Sequence, residues 1–565
     1  MLKKILVTVM LTALLVVPAA AEISKELMDE IVEWVGPDVK TTLKIQTRVG
    51  KVMFQEKEAE PAPAVAKADK DRGYILFVRD MEENINYNSA PKKSELKDTL
   101  DTFCPLGSRK ASSFAIYPLA GLGKVSVTFS DLKSAEGNVI PKQSISTRAA
   151  KYLGKFRGGI IHIEERLFVN TPVECKEGIT RRFLFTVNVP LSAKPGDYSC
   201  EITVKPESKP ASKLNYKLKV MPFTLEVNPN FSTGWYYLPG SDAKILEEDM
   251  QNMVEYGFNA AIAPGGSYSK AGGSDFSDLD KYYAAAKKTG MIGIHQVWSP
   301  SIPGKMFTPD YNQAYVAHLT NLVKWADAHK DFNYVYWVTD EPREVNDTGF
   351  NLNFAQTMQL INMCKQIKGL KITVTLMSDG EKGTDYTSMV PLLDIMQMHH
   401  NNKWGPKIIA LGRKLNNYCT YNSGTGRWEY GFHSWRIGSR GKYEWHWQWS
   451  GNIFDPTFSQ YVYVFRSKLG LHTSPTYERS SEGAVDYKYL YTLDKRVKAA
   501  LAGSDDKKKK TAGEAKAYLD GLYSKIPDFE VSKASGGADA GADVSGMTQL
   551  EGWRWKLAQY LAALN

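Results

Sequence analysis

From about residue 232 the sequence alternates short apolar, β-branched or aromatic runs with stretches of helical period. No other feature constrains the fold of this chain as strongly. Strand candidates lie at 231–238, 258–263, 292–298 and 334–338. Helix candidates at 244–256 and 279–289 fall between them and stop at Gly257 and Gly290. Val316, Leu319, Leu322, Val323 and Ala326 give the next helix an apolar face. A helix at 354–367 and strands at 371–377, 392–398 and 431–436 follow. Repeated βα order predicts a parallel sheet with helices outside it. The length suits a (β/α)8 TIM-type barrel, roughly 250 residues. A doubly wound sheet competes, but it would more often carry a glycine-rich phosphate loop, and no GxGxxG occurs.

The chain is too long for one core, and its other parts read differently. Segments 113–118, 124–130, 182–189 and 198–204 are short strands with Pro/Gly turns between them, and Leu214, Tyr216, Leu218 and Val220 keep a period of two. These predict an N-terminal β-sandwich. Residues 59–71 read as a loop or linker, and 507–510, a lysine run, as a solvated loop. Helix formers at 486–502, 512–525 and 549–564 predict C-terminal helices packed on the barrel, with 531–546 a flexible connector. The expected multidomain α/β layout is 1–21 signal peptide, 22–228 β-sandwich region, 229–480 barrel and 481–565 helical segment. Lys3 and Lys4, the apolar run 5–17 and Pro18-Ala19-Ala20-Ala21 have the pattern of a cleaved secretory signal. Export to the periplasm or exterior is expected, with no membrane span after cleavage.

Several function classes lack support. The formal net charge of +9 is spread over 565 residues, so nucleic acid is not an expected partner. Five cysteines make no disulfide scaffold, though Cys175 and Cys200 flank a hairpin and could pair. No CxxC, HExxH, GxSxG or GxxxxGK[ST] is present, so no metal or other cofactor is expected.

The chemistry concentrates at 334–344, YVYWVTDEPRE. An apolar strand ends in Asp340, Glu341 and Pro342. Proline lacks a ladder donor and stops the strand. Two neighbouring acids therefore stand at the carboxyl end of a buried strand, where parallel α/β folds build active sites. Helix capping or a pair with Arg343 is the plainer reading. Other candidates fall at neighbouring strand ends. They are Trp298, then His399, Asn402 and Trp404, then Tyr421, Trp435, Arg436 and Trp447, within an aromatic-rich stretch among 13 tryptophans. Trp and Tyr faces stack on pyranose rings while amides and imidazoles bind hydroxyls, so a glycan is the expected partner. Some of these tryptophans are expected in the core. Adjacent acids seldom frame one glycosidic bond at the usual separations, about 5–5.5 Å or 6.5–9.5 Å. They suit substrate assistance better. The sugar's 2-acetamido oxygen attacks the anomeric carbon, Asp340 orients the acetamido N–H, and Glu341 protonates the leaving oxygen. Two alternatives remain. Glu341 as acid with Glu444 as nucleophile would need no acetamido group, and a non-catalytic carbohydrate-binding protein would need neither. Arg436 and Arg440 could contact an anionic sugar.

The DEP motif at a fourth barrel strand resembles glycoside hydrolase family 123 and its wider relatives. So do 185–226 (FTVNVPLSAKPGDYSCEITV to MPFTLE), 249–263 (DMQNMVEYGFNAAIA) and 479–493 (RSSEGAVDYKYLYTL). The resemblance implies a strand-rich domain before a barrel, and an exo-acting β-N-acetylgalactosaminidase activity with Asp340 and Glu341 in the roles above. The segment 431–449 (GFHSWRIGSRGKYEWHWQW) departs from that pattern, which leaves the sugar and linkage open.

Overall fold

The structure, a computed structural model, describes residues 51–53, 63–86, 88–157, 160–238, 240, 242–344, 352–376, 384–398, 405–415, 426–448, 453, 463–526 and 547–565. The signal-like segment 1–21 and the connector 531–546 lie outside the described residues.

The N-terminal part holds a six-stranded and a seven-stranded sheet. Inward residues of both, among them Phe114, Phe183 and Phe185 from one and Ile202, Leu214 and Tyr216 from the other, share a single apolar cluster. The period of two predicted at 214–220 is the inward face of Ser212–Met221, whose alternate residues are buried. Cys175 and Cys200 are separate buried thiols, so they do not pair. Part of the expected linker is a short helix, Lys67–Arg72, closed by Gly73 in the left-handed region.

The second part is a curled, all-parallel sheet. Its strands in chain order are Ser232–Trp235, Ala260–Ala263, His295–Val297, Tyr334–Asp340, Ile372–Leu376, Ile395–Met398 and Gly441–Glu444, and the last pairs with the first. They are called the first to seventh strands below. Seven strands are described, against the eight expected, and among the described residues no pairing joins the sixth to the seventh. Residues 416–425, which fall between those two in the chain, are outside the described residues. The predicted strand at 431–436 is instead helical, a π-turn at Glu429–His433 running into Ser434–Arg436.

Helices cover the outside, and their ends follow local chemistry. Asp242 caps Ala243–Glu255 by accepting from Lys244 N and Ile245 N at 2.8 and 3.2 Å. Asn353 and Gln356 form a capping box on Phe354–Lys365. Pro309 opens Pro309–Ala328. Most strand residues are buried on both faces, as helices outside and side chains inside require.

Three helices, Pro475–Ala502, Asp506–Lys525 and Met547–Ala563, complete the chain. The lysine run 507–510 is the first turn of the second of these, capped by Asp505, and not a loop. A buried ionic network joins these helices to the N-terminal sheets. Arg109 and Arg148 grip Glu478 at 3.1 and 2.8 Å. Arg554 bonds Asp486 at 2.5 Å and also pairs with Glu482, while Lys110 reaches Glu551 at 3.2 Å.

Candidate active site

The fourth strand carries the two acids, and its geometry sets how they sit at its end. Strand side chains alternate, so Val335 and Trp337 facing inward would put Thr339 inside and Asp340 outside. The register shifts between Trp337 and Asp340, a β-bulge that brings Asp340 opposite Thr375 of the fifth strand. A bulge re-aims the side chains beyond it. The Asp340 carboxylate therefore meets the Thr375 hydroxyl inside the curl. Glu341 follows with φ of +41°, a left-handed conformation that costs a non-glycine residue. Its N–H still bonds the Thr375 carbonyl at 3.0 Å. Both acids are half-buried. Pro342 contributes its carbonyl, which accepts from the buried Tyr386 hydroxyl.

Thr375 is the hub beneath them. Its Oγ1 accepts from Trp337 Nε1 at 3.0 Å and lies 3.1 Å from the Tyr236 hydroxyl. Around it stands an aromatic cup. Trp298 packs edge-on against Trp337 at 4.4 Å between centroids, and Tyr236 touches Trp337 at 5.6 Å and Trp445 at 5.4 Å. Tyr236 and Trp337 are buried, while Trp298 and Trp445 are half-buried and keep surface for a ligand ring. Burial, then the charge of Glu341, push the Asp340 carboxyl up to about 7, against a smaller downward pull from Thr375. Burial and the Asp340 charge raise the Tyr236 phenol well above its ordinary value, so it stays a neutral hydroxyl.

The structure sorts the other candidates. Trp298 is in the cup. His399, Asn402, Trp404 and Tyr421 lie outside the described residues. Trp447 is fully buried, edge-on to Tyr237 at 5.4 Å, and bonds Tyr477 through Nε1 at 3.4 Å, so it is core and not a sugar platform. Trp435 packs on Tyr523 of a C-terminal helix at 5.5 Å. Arg436 lies over the same ring at 4.0 Å and donates to the Ile526 carbonyl at 2.9 Å. Both belong to the interface with the C-terminal helices because their segment is helical. Arg440 lines a small void with Ser232, Gln296 and Gln397, inside the curl at the end away from the acids. Glu444 is also displaced. Tyr443 takes the inward place in the seventh strand, packed with Tyr236 and Trp337. Alternation then turns Lys442 and Glu444 outward, where they bond at 3.3 Å, and burial lifts Glu444 to about 8. A nucleophile at Glu444 across the cup is excluded by this placement.

Sequence reasoning missed Tyr236, Trp337 and Thr375, and it left Trp445 out of the sugar contacts. Strand parity offered a signal for Trp337, two residues beyond Val335 in the same strand. Nothing in the sequence announces the bulge. Among the described residues no group of three or more His, Cys, Asp or Glu side chains could hold a metal ion.

No family model matches the chain, and no curated protein sequence matches it. Solved structures do. A family 123 glycoside hydrolase from Clostridium perfringens, studied for glycolipid glycan hydrolysis, superposes with TM-score 0.65 at 13% identity, covering 87% of this chain and 99% of that one. The chain therefore has the fold of that enzyme, as the resemblance in the sequence implied. A Bacteroides ovatus GH5 xyloglucanase matches at TM-score 0.27 and 10% identity over 69% of this chain and 98% of the other. At that score it adds nothing to the argument. Among the described residues no helix is long and apolar enough to cross a membrane.

Proposed function

We propose that this chain is an exported glycoside hydrolase that removes a 2-acetamido sugar, of β-N-acetylgalactosaminide type, by substrate assistance with retention. The reading rests on the bulged, proline-terminated strand that sets Asp340 against Thr375 and Glu341 after it, beside an aromatic cup. The fold shared with a family 123 enzyme supports it. Ionised Asp340 accepts the acetamido N–H and stabilises the positive charge that develops on the cyclised intermediate. Protonated Glu341 gives its proton to the leaving oxygen, then takes one from the water that opens the intermediate. Deprotonation of Asp340, whose carboxyl is pushed up to about 7, sets the acidic side of the active pH range. Trp298 and Trp445 stack on the sugar ring.

The test is an aryl β-N-acetylgalactosaminide beside the plain galactoside. The acetamido substrate is hydrolysed and the plain one is not. Glu341→Gln loses turnover on glycans with poor leaving groups by roughly 10²–10⁴-fold and keeps more on activated aryl leaving groups. Cleavage of the plain galactoside alone would remove the acetamido mechanism.

A further inference from the structure

A pocket of about 400 Å³ opens beside the cup, at the carboxyl ends of the first three strands. Small-molecule sites span about 300–1,000 Å³, and of this one's lining the mechanism above uses only Trp298. Ile262, Pro264 and Trp298 make an apolar wall, faced by Ser301, Asp275 and Asp278. No lysine or arginine is among its described lining residues.

The walls are held in place. A Cβ at Gly265 would lie 1.9 Å from the Trp298 carbonyl oxygen. One at Gly266, with φ of +75°, would lie 2.5 Å from the Asp275 carbonyl oxygen. Only bare backbone lets these segments approach. His318, buried in the helix Pro309–Ala328, pins the Gly265 carbonyl through Nε2 at 2.8 Å. Ser301 N–H donates to the Gly266 carbonyl at 3.1 Å, and Tyr268 N–H to the Ser301 carbonyl at 2.9 Å. The pocket is thus pre-formed, and a ligand entering it has little backbone ordering to offset.

It is also coupled to the cup. Trp298 lines the pocket and packs on Trp337. Ser299 Oγ donates to the Trp337 and Val338 carbonyls at 3.2 and 3.3 Å, tying the pocket to the strand that bears Asp340.

We propose that this pocket is a second sugar subsite, which takes the neighbouring ring of a neutral or amino-bearing glycan and rejects sulfated and uronic rings. The apolar wall offers a plate for a ring face, and the serines and carboxylates accept hydrogen bonds from hydroxyl or ammonium groups. An anionic substituent would face two carboxylates and no cation in the lining. Lys281, 2.9 Å from Asp278 and also acting on Asp275, offsets part of this charge from outside the lining. The inference deepens the glycosidase reading and rests on it.

The test uses binding, so that it survives failure of that reading. Glu341→Gln, which holds a substrate uncleaved, is titrated calorimetrically with a β-linked N-acetylgalactosamine trimer, its de-N-acetylated cationic form and its 6-O-sulfated form. The neutral and cationic trimers bind, and the sulfated trimer binds at least about tenfold more weakly. Adding Ser301→Trp weakens the neutral trimer by about tenfold, and adding Asp275→Asn with Asp278→Asn narrows the gap to the sulfated one. Equal affinity of the parent and Ser301→Trp for the neutral trimer, tightest binding of the sulfated trimer, or binding of no trimer overturns the subsite. If Ser301→Trp does not fold, Ser267→Tyr on the same rim gives the equivalent reading. A wild-type protein that hydrolyses nothing, yet binds the trimers in this pattern, sinks the catalytic reading and leaves the subsite standing.

Discussion

Replacing Thr375 by valine probes the reasoning at its most exposed point. The side chains have nearly the same shape, so the change removes one hydroxyl and little volume. That hydroxyl serves three neighbours. It accepts from Trp337 Nε1 at 3.0 Å, pairs with the Tyr236 hydroxyl at 3.1 Å, and bonds the Asp340 carboxylate. One O–H and two lone pairs are thereby fully used, with the O–H directed at Asp340. Valine leaves the buried indole N–H and the phenol without this partner, at a cost of about 1–3 kcal/mol each. A hydrogen bond to a charged group contributes about 1.5–3 kcal/mol, and one pKa unit corresponds to about 1.4 kcal/mol. Since Asp340 is only half-buried, the lower end applies, and its carboxyl should rise about one further unit above its present value of about 7. Ionised Asp340 is the active form, so the acidic limb of kcat/KM on the aryl N-acetylgalactosaminide moves to higher pH by that amount. The assay is a pH–rate profile of both proteins, with circular dichroism to confirm folding. A folded Thr375→Val whose acidic limb stays in place, or moves down, would refute the role given to this hydroxyl and to Asp340.

Further outcomes follow from the same geometry. Asp340 has a folded pKa raised above its unfolded value of about 3.9, so the folded state binds more protons between about pH 4 and 7 and loses stability as pH rises through that window. Asp340→Asn should therefore raise the melting temperature at pH 8 and change it little at pH 4, even as it abolishes activity; a loss of stability at pH 8 would contradict the burial argument. Trp298→Ala should raise KM about two- to tenfold through lost stacking of about 0.5–1.5 kcal/mol, measured by steady-state kinetics, and an unchanged KM would remove it from the cup. Arg554→Leu leaves Asp486 and Glu482 with fewer buried partners and should destabilise by about 3–5 kcal/mol in urea unfolding, whereas an unchanged midpoint would show the network is dispensable.

The sequence made the βα order, the DEP strand end and Trp298 legible because each depends on local pattern. Period and proline act within a few residues, and they located the acids. What failed was orientation. Trp435 and Arg436 were placed at a strand end, but their segment is helical and faces the C-terminal helices. Glu444 and Trp447 are near the cup in sequence, yet strand parity turns Glu444 outward and Trp447, past the end of its strand, is buried against Tyr237 and Tyr477, while Trp445 takes the inward aromatic position. The bulge between Trp337 and Asp340 depends on pairing with the fifth strand, a tertiary event with no local sign.

The charges that cross from Arg109, Arg148 and Lys110 to Glu478, Glu482 and Glu551 have a bearing on how this molecule can be taken apart. A barrel expressed without the N-terminal sheets would carry bare carboxylates on a surface shaped to be dry. The sheets alone would expose the matching cations. Neither half is a natural unit for truncation, and insertions or deletions in such a lineage should accumulate in the loops over the cup, away from this seam.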